Sequence, residues 1–308
     1  MSTYSAGAMD QFSVCEEGCA TKLELTKGSV IPKAALGNCT DGSTCIKMSN
    51  LYSDSPAPVP VDTPVSNIVE TSRKLAAELL GTAILLNLIV GSGTMAETLS
   101  TDVGLQLLEN GISVGAGLVG LILMFGPVSG AHFNPVVSLV DYLFGDMSLR
   151  DVCLYSICQV IGAILGAMLA DAQFNHTVSF STKERDAHHL WLGEVIATVT
   201  LLLVIHGCLR TGQKTAVPYA VGLWVLAGHF FTSSTIFANP AVTIGRQFSD
   251  TFAGIDPSSV GPFVGFQFLG ALVAFGMIKF FYPTVMEIHK DDNLYLRVCI
   301  SRVKDKVE

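Results

Sequence analysis

Two short runs carry the residue types that can act on a passing molecule. Ser129-Gly-Ala-His-Phe-Asn-Pro-Val-Val137 and Phe237-Ala-Asn-Pro-Ala-Val-Thr-Ile244 each set an asparagine before a proline. Proline suits the first position of a helix, where its missing N–H is not needed, and asparagine suits the cap before it. An asparagine whose carbonyl oxygen is held by the helix N-terminus leaves its NH₂ to donate elsewhere. Asn134-Pro135-Val136 and Asn239-Pro240-Ala241 therefore offer two donors to one small molecule.

Both runs start too polar to cross a bilayer, yet continue into apolar sequence, as in Val136-Val-Ser-Leu-Val140. Each reads as a re-entrant loop followed by a half-helix. Non-helical backbone at membrane depth is tolerated only where protein buries it or it lines a water-filled cavity, so two such loops imply a cavity at the midplane. The positive ends of both half-helices point at that centre, which repels cations and disrupts a proton wire. The expected traffic is small neutral solutes and water.

Other candidate groups read as support. Glu78 and Glu194 are carboxylates at membrane depth, a position that defaults to function, but here they are expected to accept hydrogen bonds from the loops' exposed N–H groups. His132 is expected to brace the first loop rather than bind a metal. No nucleophile–base pair, phosphate loop or metal-ligand spacing supports an enzyme, a cofactor or a metal site, and these spacings put no charge pair in the lumen that would drive ion-coupled transport.

The elements that must position these residues follow from hydropathy. Half of the 308 residues are apolar, 14% are charged and the mean hydropathy is +0.50, values typical of a membrane protein. Apolar stretches near the ~20 residues a bilayer core requires lie at about 75–95, 111–128, 152–170, 190–208, 217–232 and 260–282. The net charge of −8 resides largely in tails and short loops and implies no nucleic-acid partner. Lys and Arg are nearly missing from the connections 91–110 and 171–189, where only Lys183 and Arg185 occur, and abundant on the other side, from Arg73 and Lys74 to Lys306. The positive-inside rule then places both termini in the cytoplasm; the expected host is the plasma membrane.

Three markers recur in the same order. Glu78-Leu-Leu-Gly-Thr82 answers Glu194-Val-Ile-Ala-Thr198, Asn134 answers Asn239, and Gln159-Val-Ile-Gly-Ala163 answers Gln267-Phe-Leu-Gly-Ala271. Each unit has three spans, an odd number, so the second copy enters from the opposite face as an inverted repeat. The expected fold is an all-α membrane protein of six transmembrane helices plus two re-entrant half-helices. It occupies 71–284, with repeats at about 74–170 and 190–282, between a disordered tail over 1–70 and a cytoplasmic tail over 285–308. Cys15, Cys19, Cys39 and Cys45 in the first tail are expected as reduced thiols, a soft-metal or metalloid clasp at Cys15 and Cys19 being the alternative. Asn38 and Asn175 both match the glycosylation pattern, but only Asn175 would face outside.

Over 74–282 the paired motifs resemble the major intrinsic protein family, the aquaporins and glycerol facilitators. The resemblance implies one pore per subunit, homotetramers in the bilayer, and a selectivity filter beside the asparagines. Val136 departs from the family's usual alanine. The larger departure is Val242, where most members carry the filter arginine, a strong donor and fixed positive charge. Family spacing puts the remaining filter positions at Val114, Ala227 and Ile236, with His229 as the alternative to Ala227. Arg246, one turn beyond Val242, either restores some charge or serves a pairing or capping role.

The wide apolar ring this implies suits polyols, urea or neutral metalloid hydroxides. Phe237-Ala-Asn-Pro-Ala-Val-Thr243, with Asp250-Thr-Phe-Ala-Gly-Ile255 after it, resembles the branch associated with bacterial arsenic resistance, which implies arsenite or methylated arsenicals as candidates. A water-selective channel is the alternative within the family, and a non-conducting scaffold or adhesion protein the alternative outside it.

Overall fold

A computed structural model describes the backbone of residues 64–283, the side chains of 68–283, and the backbone of six short strands nearer the amino terminus. The chain divides into two compact units, Met1–Ile68 and Val69–Glu308. In the first, β1 (Thr3–Ser5) pairs with β4 (Val30–Pro32), and β2 (Gln11–Glu16), β3 (Cys19–Glu24), β5 (Leu36–Asn38) and β6 (Thr44–Lys47) form a sheet in the order β3-β2-β6-β5. These pairings differ from the disordered tail that composition predicts. The local reason is a hairpin signal: apolar residues alternate at Phe12 and Val14, and Glu16 pairs with Cys19 across a two-residue Glu-Gly connection. The side chains of the four tail cysteines, and residues 284–308, lie outside the described residues.

The second unit is helical: α1 (Pro64–Leu99), α2 (Val103–Ser129), α3 (Pro135–Phe144), α4 (Leu149–Gln173), α5 (His188–Arg210), α6 (Val217–Phe231), α7 (Pro240–Arg246) and α8 (Pro257–Phe281). Helix starts follow local capping chemistry. Asp102, Ser148 and Asp256 accept from backbone N–H groups in the first turns of α2, α4 and α8, which satisfies donors that a helix N-terminus leaves without partners. Glycines in the left-handed region, Gly130 and Gly145, end α2 and α3.

Among the described residues five helices, α1, α2, α4, α5 and α8, are long and apolar enough to cross a membrane. The apolar run at 217–232 forms α6, which at 15 residues rises only about 22 Å and is shorter than a standard span. It ends early because Thr232 already belongs to the turn that leads into the second loop, its hydroxyl accepting from the Ile236 N–H.

Packing follows the repeat. In the first copy α1 lies against α4, where a Cβ added at Gly162 or Gly166 would overlap the carbonyls of Leu79 and Ala83. In the second copy α5 lies against α8, and a Cβ at Gly270 would sit 3.0 Å from the Val195 carbonyl oxygen. Small residues one turn apart thus let helix backbones meet, as expected where lipid supplies no hydrophobic drive between helices. The half-helices cross over: α3 packs on α8 as well as α4, and α7 packs on α4 as well as α8. Each repeat therefore completes the wall of the other.

Candidate functional site

The two half-helices meet end to end through their caps. The Asn134 Oδ1 accepts from the Val136 N–H at 3.1 Å, and the Asn239 Oδ1 accepts from Ala241 and Val242 at 3.0 and 3.3 Å. The amides then bridge the repeats. Asn134 Nδ2 donates to the Ala238 carbonyl at 2.8 Å, and Asn239 Nδ2 to the Phe133 carbonyl at 2.7 Å. One N–H of each amide is committed across the midplane and one remains for the lumen.

Each loop reaches this geometry through strained backbone. Ala131 and Phe133 in the first loop, and Ile236 and Ala238 in the second, have φ between 47° and 53°. Left-handed backbone at non-glycine residues costs of order 1 kcal/mol or more each and persists only where surroundings hold it. The buried glutamates hold it. The Glu78 carboxylate accepts from the His132 and Phe133 N–H groups, the Ser129 hydroxyl and Gln159; the Glu194 carboxylate accepts from the Phe237 and Ala238 N–H groups and Gln267. Both glutamates are fully buried and neither lines the lumen. His132 braces its loop: one ring nitrogen lies 2.9 Å from Ser138 Oγ, and Nε2 lies 3.1 Å from an Asp141 carboxylate oxygen.

A cavity of about 150 Å³ runs between the asparagines. Four helices each give it one stripe of Leu, Ile and Val at i, i+4 spacing, for instance Val114-Leu118-Ile122 on α2 and Val217-Val221-Val225-His229 on α6. That periodicity corrects one expected filter residue. Ala227 does not line the cavity and is exposed, whereas His229 lies on the lining face. Two positions of a helix rotate a side chain by about 200°, so a two-residue error in counting changes the face entirely. The count back from Asn239 fails because it crosses the non-helical turn at Thr235 and Ile236. His229 Nδ1 lies 2.7 Å from the Val225 carbonyl; a carbonyl only accepts, so Nδ1 carries the proton and Nε2 is the atom left for solute. Val114, Ile236 and Val242 also line the cavity.

Two charged side chains also line it, Asp141 and Arg246, which corrects the expectation of a lumen without a charge pair. Asp141 was missed because the apolar run Val136–Val140 ends one residue before it. Arg246 Nε donates to the Ala253 carbonyl, and its guanidinium lies 3.5 Å from the centre of the Phe237 ring. Near this mouth, Lys183 donates to the Phe252 carbonyl and Arg185 to Gly254, so three successive carbonyls take three cations. Burial and the neighbouring Arg185 and Arg246 charges push the Lys183 ammonium down to about 8, and burial pushes the Arg185 guanidinium down to about 10.

Comparison with known proteins agrees with this architecture. A family model described as Major intrinsic protein matches residues 66–237. Aquaglyceroporin AqpS of Rhizobium meliloti is 44% identical over 211 residues, covering 68% of this chain and 90% of the relative. The probable aquaporin NIP4-2 of Arabidopsis thaliana is 28% identical, covering 84% and 89%. Among solved structures, the aquaglyceroporin from Plasmodium falciparum superposes with a TM-score of 0.52 at 21% identity, covering 68% of this chain and 95% of that one, which shows a shared fold. The chain is a multi-pass membrane channel belonging to the major intrinsic protein family.

Proposed function

We propose that the chain is a passive channel for small uncharged solutes larger than water, namely polyols such as glycerol, urea and neutral metalloid hydroxides such as arsenite, along with water, and that it excludes ions and protons. The observation that carries this reading is the wall beside Asn239, where Val242, Val114 and Ile236 present hydrocarbon. An apolar ring does not compete with water for hydrogen bonds and so favours solutes that shed water readily. Kinship with AqpS, named an aquaglyceroporin, points the same way.

Asn134 and Asn239 supply the paired donors at the centre, and Glu78, Glu194 and His132 keep their loops in place. The basic connections predict cytoplasmic termini and a channel whose α7-side mouth faces outward in the plasma membrane. Assembly is as a homotetramer. A second reading, a water-selective pore, is favoured by His229, whose buried imidazole adds bulk and a polar nitrogen to the wall.

Stopped-flow light scattering on proteoliposomes decides between them. The first reading expects glycerol, urea and arsenite flux well above empty vesicles. Fast water flux with all larger solutes at the empty-vesicle rate would replace it with the second.

A further inference from the structure

Asp141 and Arg246 occupy equivalent positions in the inverted repeat. Asp141 follows Asn134 by seven residues (141 − 134 = 7), and Arg246 follows Asn239 by seven (246 − 239 = 7). Two helical turns return a side chain to the starting face, and both line the cavity. Their supports are equivalent as well. The residue two before each asparagine holds the charge: His132 lies 3.1 Å from the Asp141 carboxylate, and the Phe237 ring lies 3.5 Å from the Arg246 guanidinium. The repeat has thus placed opposite charges at matched sites on either side of the asparagines.

The Arg246 charge is not cancelled locally, and the Asp141 charge is kept where the two imidazoles beside it are neutral. Among the described residues no carboxylate stands within ion-pair distance of Arg246; it is held by a carbonyl and an aromatic face, which leave its positive charge intact. Asp141 faces two imidazoles, His132 at 3.1 Å and His206 at 3.7 Å, which offset its charge only when protonated. A lumen walled by hydrocarbon screens these charges far less than bulk water does.

We propose that Asp141 and Arg246 are a matched pair of specificity residues: Arg246 rejects cations at the α7-side mouth, and Asp141 rejects anions at the α3-side mouth. An ion of either sign then meets a like charge at one end of the pore, whereas a neutral hydroxylated solute meets a donor at one end and an acceptor at the other. This arrangement replaces a single charged constriction and lets the ring at Val242 stay wide. The inference rests on the neutral-solute reading above.

The test uses the full chain in proteoliposomes with three measurements: glycerol flux, potassium leak and nitrate leak. Arg246→Gln is expected to raise potassium leak at least about tenfold with nitrate leak unchanged, and Asp141→Asn to raise nitrate leak by a similar factor with potassium unchanged. Arg246→Lys should stay tight to potassium. Size-exclusion profiles identify any variant that does not fold; Asp141→Asn against Arg246→Lys and wild type then still reads the anion arm. Ion leaks at the empty-vesicle level in folded Arg246→Gln and Asp141→Asn would overturn the pair as a filter. Failure of wild type to carry glycerol would instead count against the neutral-solute reading.

Discussion

The loop entering α3 and the loop entering α7 have the same skeleton and opposite linings. Each has an asparagine cap bonded across the midplane, three left-handed residues (Gly130, Ala131 and Phe133 in one, Thr235, Ile236 and Ala238 in the other), a buried glutamate and a glutamine from the third span of its repeat. At the positions that face solute, one offers His132, Val137 and Asp141 and the other Phe237, Val242 and Arg246. Duplication preserved the groups that satisfy backbone donors, because a buried unpaired N–H costs about 1–3 kcal/mol wherever it occurs. Lining residues carry no such obligation and have diverged.

The comparison breaks most visibly if the skeleton residues are unequal. Glu78→Ala and Glu194→Ala each strand two backbone N–H groups and a glutamine in a buried loop, so each is expected to cost on the order of 3–5 kcal/mol. Thermal unfolding in detergent should show both variants falling by similar amounts with loss of flux. A large drop for one glutamate alone would mean that the repeats are not equivalent.

Next in size is the lining at Val242. Val242→Arg puts a long cation into an apolar ring and should cut glycerol and urea flux by about tenfold or more while leaving water flux closer to wild type. Equal slowing of all three would point to simple blockage. A smaller effect separates two neighbours on α6. His229→Ala should shift the ratio of water to glycerol flux, whereas Ala227→Leu, on an exposed face, should leave that ratio unchanged.

The smallest effect concerns the cations at the α7-side mouth. Lys183 is lowered from 10.5 to about 8 by burial and by Arg185 and Arg246. Between these values the unfolded chain binds more protons than the folded one, so stability rises with pH across that window. Because Lys183 is only partly buried and solvent screens its charge, the rise is small. It should appear as a slightly higher unfolding midpoint at pH 9.5 than at pH 7.5, and it should vanish in Lys183→Met.

Sequence was informative where function depends on contiguous residues or on repetition. Asn134, Asn239, Glu78, Glu194, Gln159 and Gln267 declare themselves by recurring in order, and the role of the glutamates follows from loops whose N–H groups need acceptors. It was uninformative where a count crosses irregular backbone. The turn at Thr235, Ile236 and Ala238, all at positive φ, uncouples the phase of α6 from Asn239, so spacing selected Ala227 over His229. Asp141 was legible in principle, since the seven-residue offset that finds Arg246 also finds it. A single carboxylate directly after an apolar run, however, reads as the end of that run.

The reciprocal bonds at the midplane also constrain how the protein is made. Asn134 needs the carbonyl of Ala238, and Phe133 offers its carbonyl to Asn239, so the first loop lacks its partner until about a hundred further residues have been synthesised. α3 likewise lacks the wall supplied by α8. A half-translated chain in the bilayer therefore exposes polar groups instead of forming a finished hole, and remains distinguishable from the complete protein by that exposure. The membrane is not breached by a half-assembled lumen, because the lumen comes into being only when the second repeat closes the first.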